Sequence, residues 1–188
     1  MPSEPRPHSR VRHADDTIGA KLTGFRFRVR LAAMDDLPAL RDVFRRSSLS
    51  NEGDRASLLA HPDTLELSDR SVRDGRVRVA VIDDRIVGFA TVLVTGQIGE
   101  LEDLFVDPYW MRHGIATELV LDALANASEQ GIARIEVTAN GHALAFYESI
   151  GFISDGIRET QFGPGHRMHL DVPSPRSAVA RDDRLEPR

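Results

Sequence analysis

Residues 104–117, which read LFVDPYWMRHGIAT, join an apolar stretch, a proline, a glycine and the start of a helical pattern. Pro108 has no backbone N–H to donate, so the strand that begins near Leu104 should end there. An amphipathic helical pattern starts directly after Gly114. The first N–H groups of a helix lack intrahelical partners, and the helix dipole adds partial positive charge at that end. Because Gly114 has no side chain to hold an anion away, this segment predicts a phosphate-binding turn.

The pattern on both sides of this turn alternates between strands and helices. Period-two or continuous apolar runs predict the strands, and apolar residues on one face predict the helices. The predicted strands are 25–31, 77–82, 89–94, 100–106, 133–139, 152–157 and 166–172, and the predicted helices are 36–46, 51–61, 115–129 and 142–150. Asp83 and Asp84 suit the turn of a hairpin. This order predicts an α/β domain with one mixed sheet and helices on both faces.

Composition narrows the class of protein. At 188 residues, with 41 % hydrophobic and 28 % charged residues, the chain is typical of one globular domain. It has no cysteine, which excludes disulfides, thiolate metal sites and cysteine nucleophiles. No apolar run approaches the length of about 18 residues that predicts a transmembrane helix, and the first ten residues lack the apolar core of a secretory signal. We therefore expect a cytoplasmic protein with no membrane segment.

Charge is distributed unevenly along the chain. Residues 1–30 contain seven Lys or Arg and three Asp or Glu, whereas the remainder contains 17 and 26. An acidic body argues against a nucleic-acid-binding protein, although the basic start of the chain leaves that alternative open. Residues 1–24 and 173–188 are rich in Pro, Arg and Asp without periodicity, so we expect them to be disordered tails around a domain at 25–172.

Two segments resemble the GCN5-related N-acetyltransferase (GNAT) family. Residues 111–116, Met-Arg-His-Gly-Ile-Ala, resemble its acyl-CoA motif, (Gln/Arg)-x-x-Gly-x-(Gly/Ala). Residues 140–152, Asn-x-x-Ala-x-x-x-Tyr-x-x-x-Gly-Phe, are similar to a second segment of the family. The resemblance covers roughly 25–172 and implies a mostly antiparallel, twisted sheet of about seven strands flanked by about four helices, the acyl-CoA N-acyltransferase fold. Met111 stands where the family has Gln or Arg, but backbone amides chiefly hold the pyrophosphate there, so binding should persist.

The resemblance implies that acetyl-CoA is the co-substrate. We expect no metal, because His166 and His169 are three apart in a predicted strand and so face opposite sides, which makes them poor ligands as a pair. In the family the pantetheine arm lies in a gap between the strands that correspond to 100–106 and 133–139. The diphosphate meets backbone N–H groups at the start of the following helix. The cofactor-binding residues implied in this way are Phe105, Val106, Met111, Arg112, His113, Gly114, Ile115, Ala116, Thr117, Asn140 and Tyr147. Asn140 has an equally ordinary interpretation as a turn residue ahead of a helix.

The resemblance also implies the catalytic groups for acetyl transfer to a primary amine by direct attack in a ternary complex. Tyr147 occupies the position of the family's acid, which protonates the leaving thiolate. The base is Glu102 or Glu100, which strand alternation places on one face, with Asp103 on the other making structural hydrogen bonds. The competing interpretations are that Tyr147 packs in the core and that the glutamates are ordinary surface carboxylates.

The acceptor is a small-molecule or peptide amine that the sequence does not identify. In the family it binds between regions that correspond to 47–63 and 160–167. Arg55 or Arg167 could pair with an acceptor carboxylate, and Glu52 or Glu159 could attract an amine. We expect no nucleic-acid partner, and a homodimer stays open. The alternative to an enzyme is a regulatory module that binds acyl-CoA without turnover.

Overall fold

The computed structural model describes residues 21–22, 25–50, 55, 58–60, 67–160 and 163–173. Its strands are β1 Lys21–Leu22, β2 Phe25–Arg26, β3 Arg28–Leu31, β4 Val77–Ile82, β5 Arg85–Thr95, β6 Ile98–Val106, β7 Arg134–Ala139, β8 Ile153–Thr160 and β9 Gly163–Asp171. Its helices are α1 Leu37–Ser48, α2 Arg70–Arg73, α3 Ile115–Glu129 and α4 Leu144–Ser149. Short 3-10 turns occupy Met34–Asp36 and Pro108–Trp110.

Seven strands form one sheet in the order β3-β4-β5-β6-β7-β9-β8. Every neighbouring pair is antiparallel except β6 and β7, which run parallel. Strands β1 and β2 form a separate two-stranded hairpin. The prediction of a mostly antiparallel sheet of about seven strands with flanking helices is therefore confirmed.

Helices cover the two faces of the sheet and create two apolar clusters. On one face α1 buries Leu40 and Val43 against Phe89 of β5. On the other face α3 buries Ile115 and Leu119. Both sets follow the helical spacing that brings residues three and four apart onto one side.

Strands β6 and β7 are paired only at their first residues. The register joins Ile98, Gly99 and Glu100 of β6 to Arg134, Ile135 and Glu136 of β7, and the pairing ends there. Beyond it β6 continues to Val106 and β7 to Ala139, where β7 still pairs with β9 at His166. The strands therefore separate, and one backbone edge of β6 lacks a strand partner.

Several sequence predictions need correction at the level of elements. The strand predicted at 25–31 is interrupted at Phe27, because β2 pairs with β1 and only β3 joins the large sheet. The strand predicted at 89–94 extends from Arg85 to Thr95, since the hairpin turn at Asp83 and Asp84 starts pairing at once. Helix α2 was not predicted. Of the helix predicted at 51–61 the structure describes 55 and 58–60, which are helical. Of the tails predicted at 1–24 and 173–188 it describes 21–22, which form β1 where disorder was expected, and 173; the remaining residues lie outside the described part.

Candidate active site

The turn after β6 is fixed by Asp107. One carboxylate oxygen accepts from the backbone N–H of Tyr109 at 3.0 Å, which closes the short 3-10 turn. The other oxygen accepts from Nε and Nη2 of Arg46 on α1 at 3.0 and 2.7 Å. The two interactions fix the end of β6, just before Pro108, relative to α1.

The start of α3 has the backbone geometry of an anion site. Arg112 and Gly114 adopt left-handed conformations, with φ of 65° and 80°. The first helical hydrogen bond in this turn runs from the N–H of Glu118 to the carbonyl of Gly114 at 3.1 Å, so the preceding N–H groups lack intrahelical acceptors. A left-handed residue near a helix start turns successive N–H groups toward one point, as in anion-binding nests. The strained conformation of a non-glycine residue such as Arg112 is typical of functional turns.

A cavity of about 950 Å³ opens beside this turn. Predicted cofactor-binding residues on its wall are Phe105, Val106, Met111, Arg112, Gly114, Ile115, Ala116, Thr117, Asn140 and Tyr147. His113 is not part of the lining; its Nδ1 lies 2.8 Å from the carbonyl oxygen of Met111, and its ring contacts Trp110 edge-on. The geometry thus brings together the turn, the free edge of β6 and the helix that carries Tyr147.

Phe105 and Val106 present this free edge. On the other side of β6 they pair with Phe89 and Gly88 of β5. A Cβ at Gly88 would lie 2.9 Å from the carbonyl oxygen of Phe105, so a glycine is needed for the close approach of the two strands. The Phe105 ring packs edge-on against Phe44 of α1 at 4.8 Å between centroids, which anchors the strand where it borders the cavity.

Tyr147 is buried and yet borders the cavity. Its side chain is 6 % exposed and packs against Phe146 and Phe152, with ring centroids 5.1 and 5.2 Å away. Burial raises the pKa of Tyr147 far above its ordinary value. The phenol is therefore neutral in the folded protein. The core-packing interpretation and the acid interpretation of this residue are thus compatible.

Asn140 closes the turn ahead of α4. Its Oδ1 accepts from the backbone N–H of Ala143 at 3.0 Å. This is the turn role that the sequence suggested, and it orients the side chain while the residue also lines the cavity. The carboxamide N–H₂ group remains a donor for a ligand amide.

A β-bulge changes the predicted orientation of the acidic residues on β6. Thr91 of β5 faces Asp103, but the next residue, Val92, faces Leu101, so Glu102 is an extra residue. Leu101 belongs to the cluster under α3, whereas Phe105 packs with the cluster under α1. Strict alternation would place Leu101 and Phe105 on the same face. Because the extra residue shifts the alternation by one position, Asp103 lies on the same face as Glu100, and the prediction that they lie on opposite faces is wrong.

The two candidate bases have different partners. Glu102 accepts a hydrogen bond from Nη1 of Arg76, which precedes β4, at 3.0 Å. Glu100 accepts hydrogen bonds from both terminal nitrogens of Arg167 on β9, at 2.6 and 2.5 Å. Neither lines the cavity itself.

Burial and charge shift the pKa of Asp103. Removal from water raises it, and the neighbouring Glu102 raises it further, whereas Thr91 and Arg76 oppose the shift less strongly. Asp103 therefore resists ionisation in the folded protein, unlike a surface carboxylate.

Sequence reasoning missed part of this site. Glu136 and Thr138 of β7 bind Arg167, and Leu104 and Phe146 line the cavity. The alternation of Glu136 and Thr138 in the strand predicted at 133–139 placed them on one face and could have drawn attention to them. Arg167, considered for an acceptor carboxylate, instead binds these acidic residues of the chain itself.

Two further observations concern the described part of the chain only. It contains no group of three or more His, Cys, Asp or Glu side chains arranged around a metal position. No helix in it is long and apolar enough to cross a membrane.

Comparison with known proteins adds a family and a fold. A family model described as "Acetyltransferase (GNAT) domain" matches residues 64–169, more than half of the chain. The crystal structure of PaiA N-acetyltransferase from Thermoplasma acidophilum in complex with coenzyme A has a TM-score of 0.64 at 19 % identity. That likeness covers 77 % of this chain and 98 % of the other, and at this identity it concerns the fold alone.

Two curated relatives share sequence with the chain. [Ribosomal protein bS18]-alanine N-acetyltransferase of Salmonella typhimurium is 32 % identical over 93 residues, 48 % of this chain and 62 % of that protein. Glucosamine 6-phosphate N-acetyltransferase of Trypanosoma brucei brucei is 28 % identical over 75 residues, 36 % of this chain and 51 % of that protein. The chain therefore matches between about half and three fifths of the length of these relatives.

Proposed function

The chain belongs to the GNAT family of acetyltransferases, and on that premise we propose that it transfers the acetyl group of acetyl-CoA to a primary amine. One observation carries the proposal. The anion-binding turn at Gly114, the unpaired edge of β6 and the buried phenol of Tyr147 all border the same cavity. A diphosphate, an amide-bearing arm and a thioester need these three features in that combination.

The donor fits this cavity through backbone more than through side chains. The diphosphate accepts from N–H groups of residues 112–117, where a left-handed turn and a helix start coincide. The pantetheine arm pairs with the free edge at Phe105 and Val106, as an added strand would. Asn140 offers its carboxamide N–H₂ to a ligand amide. Met111 is compatible with this mode because its backbone supplies the contact.

The reaction needs a neutral amine and a proton for the leaving thiolate. The acceptor ammonium loses one proton to a base, its nitrogen forms a bond to the thioester carbonyl carbon, and the carbon–sulfur bond breaks as the nitrogen releases its second proton to solvent. Tyr147 protonates the sulfur and later recovers a proton from solvent. We assign the base role to Glu100, acting directly or through water, because it lies in the last register pair before β6 and β7 separate, whereas Glu102 is the bulged residue and pairs with Arg76 ahead of β4.

The acceptor class follows from chemistry shared with the relatives. One relative is named for a protein alanine and the other for an amino sugar phosphate, so the proposal extends to peptide and small-molecule amines. A cytoplasmic location and the absence of a nucleic-acid partner belong to the same proposal.

A second candidate function is a module that binds acyl-CoA without turnover. The observation in its favour is that Glu100 and Glu102 both carry an arginine partner, so neither carboxylate is free to act as a base. A module that only binds acyl-CoA would not need the protonated phenol of Tyr147 beside the cavity.

Two measurements test the proposal. Acetyl-CoA at about 100 times its Kd should stabilise the folded protein by about 2.7 kcal/mol, seen as a higher Tm. Release of free CoA thiol should then accelerate with at least one member of a panel of primary amines. Stabilisation without accelerated release supports the binding module, and the absence of both contradicts the donor site itself.

A further inference from the structure

An ion pair between Arg46 and Asp107 joins helix α1 to the turn after β6. Nε and Nη2 of Arg46 both donate to Oδ2 of Asp107, at 3.0 and 2.7 Å. The other carboxylate oxygen accepts from the backbone N–H of Tyr109 at 3.0 Å. The backbone N–H of Asp107 donates to the carbonyl of Val87 in β5 at 2.8 Å. Asp107 is therefore the residue through which α1, β5 and the turn are connected.

This ion pair lies behind the wall of the larger cavity. Neither Arg46 nor Asp107 lines that cavity, but their neighbours in the chain do: Ser47 and Ser48 follow Arg46 in α1, and Val106 precedes Asp107 in β6. The two charged residues line a separate cavity of about 550 Å³. The pair can therefore act on a ligand in the larger cavity through the residues that it positions or through its charge.

The exposure of the two side chains indicates which of them depends on the contact. The side chain of Asp107 is only 15 % exposed, whereas that of Arg46 is 53 % exposed. A carboxylate so far removed from water needs hydrogen-bond donors, and removal of Arg46 would leave Oδ2 without its two donors. Loss of the guanidinium therefore favours a rearrangement at Asp107, where the turn begins.

The turn that follows Asp107 has a backbone that must be held in place. Arg112 has a φ of 65°, a conformation that is unfavourable for a residue with a side chain and persists where the surrounding structure fixes it. The aromatic contact between Phe44 of α1 and Phe105 of β6, with centroids 4.8 Å apart, supports the same junction from the apolar side. Helix α1 thus braces the end of β6 with one apolar and one charged contact.

We propose that Arg46 is a positioning residue for acetyl-CoA: through Asp107 it holds the turn at Gly114 in the shape that accepts the diphosphate before the donor arrives. This inference rests on the proposed function and extends the donor site to a residue of α1 outside the cavity wall. A turn that is already in place loses less conformational freedom when its ligand binds, so the affinity is higher.

Charge alone and positioning predict different signs for the two members of the pair. If only charge mattered, loss of the Arg46 cation would weaken the binding of a diphosphate, and loss of the Asp107 anion would strengthen it. If the pair positions the turn, both losses weaken binding, because each breaks the same contact. The direction of the Asp107 effect therefore distinguishes the two explanations.

The test measures the Kd for acetyl-CoA by calorimetric titration of the full chain. Asparagine in Asp107→Asn keeps a side-chain oxygen for the N–H of Tyr109 and loses the charge that faces Arg46. We expect Arg46→Met and Asp107→Asn each to raise the Kd at least fivefold. The double variant should lie within about twofold of either single variant, because the contact is already lost. Arg46→Lys should keep part of the affinity, since it keeps the charge but not the paired geometry of a guanidinium.

The matched control is Arg45→Met, which removes an exposed charge from the adjacent position of α1 and should change the Kd less than twofold. Tighter binding by Asp107→Asn, an unchanged Kd in Arg46→Met, or an equal loss in Arg45→Met overturns the inference.

Steady-state kinetics with any amine that is acetylated separate positioning from a merely structural role. Arg46→Met should raise the KM for acetyl-CoA at least fivefold and change kcat less than threefold, because Tyr147 and Glu100 remain in place. A smaller folded fraction would instead lower kcat and leave the KM unchanged, which contradicts the inference. If the natural chain binds acetyl-CoA and acetylates no amine, the proposed function falls while the Kd comparison still decides this inference. If the natural chain does not bind acetyl-CoA, both fall.

Discussion

Tyr147 and Tyr109, the only two tyrosines of the chain, lie in opposite environments. Tyr147 is 6 % exposed within an aromatic group, whereas Tyr109 is 80 % exposed on the turn after β6. Loss of water from its surroundings makes the Tyr147 phenolate unfavourable, so the hydroxyl stays protonated at every pH at which the enzyme is expected to work. Tyr147 therefore holds its proton when the thiolate departs, and it does not act as a base.

Tyr147→Phe should lower kcat about 10²-fold, or about 2.7 kcal/mol of transition-state stabilisation, which is typical of a lost general acid. The KM for acetyl-CoA should change less than threefold, since the ring and its packing remain. Steady-state thiol release measures both constants. Tyr109→Phe is the matched control and should behave as the natural chain. An unchanged kcat for Tyr147→Phe would remove the residue from the mechanism.

Asp103 and Asp36 should affect stability with opposite signs. Burial raises the pKa of Asp103, so its folded form holds the proton more tightly than its unfolded form. Stability from this source is complete below the unfolded pKa and is lost as pH rises through the folded pKa. The hydrogen bond from Arg30 lowers the pKa of Asp36, so its contribution is present above the unfolded pKa and lost as pH falls.

Asp103→Asn should therefore become more favourable relative to the natural chain as the pH rises from 3 to 7. Asp36→Asn should become more unfavourable over the same range, because it removes the pair with Arg30. Thermal unfolding at several pH values measures both trends. A difference in Tm that does not vary with pH in either variant would contradict the assigned shift.

At the scale of elements, the sequence predicted the strands and helices whose pattern is contained within one short segment. The run VRVAVI coincides with β4, Val77–Ile82, and the amphipathic pattern at 115–129 coincides with α3. The bulge at Glu102 has no signature of its own, because an extra residue in a strand is defined by the partner strand. Helix α2 has four residues, too few for a helical period to be visible. The break at Phe27 likewise depends on which strand the segment joins.

Gly114 and Gly131, at the two ends of α3, offer a matched pair of substitutions. Both have left-handed φ, 80° and 71°, so an alanine at either should cost about 1 kcal/mol of stability. Gly114→Ala should also weaken acetyl-CoA binding at least tenfold, since it disturbs the turn that presents the N–H groups. Gly131→Ala should leave the Kd unchanged. Calorimetric titration and thermal unfolding distinguish the two effects, and equal Kd values for both variants would argue against an anion site at Gly114.

At the scale of the whole molecule, the gap is bounded by elements from distant parts of the chain. Arg46 connects α1 to the end of β6, and Arg78 of β4 holds Asp122 of α3 by two contacts of 2.7 Å. Part of the cavity wall lies in one segment, 105–117, so the local sequence pattern could point to it. The contacts of Arg167 with Glu100 and Glu136 could not be predicted, because they require knowing that β9 lies beside β7. The sequence contains Arg167 and Glu100 without indicating that they meet.

The domain limits predicted at 25–172 lead to a test by truncation. The last described residues are attached to the body: the N–H of Val172 donates to Ala133 at 2.9 Å, and Ser128 donates to the carbonyl of Pro173 at 3.0 Å. A chain limited to residues 21–173 should keep the Tm and the Kd for acetyl-CoA of the full chain. A chain limited to 21–171 should lose about 1 kcal/mol for each hydrogen bond removed. A large loss of either property in the first truncation would show that residues outside 21–173 belong to the domain.

Trp110 is the only tryptophan of the chain, and it lies on the wall of the cavity that we propose binds acetyl-CoA, beside the ring of His113. The fluorescence of Trp110 should therefore change when acetyl-CoA binds beside it. An unlabelled sample in a fluorimeter would then report donor occupancy in real time, and rapid mixing would give the association and dissociation rates without any acceptor present.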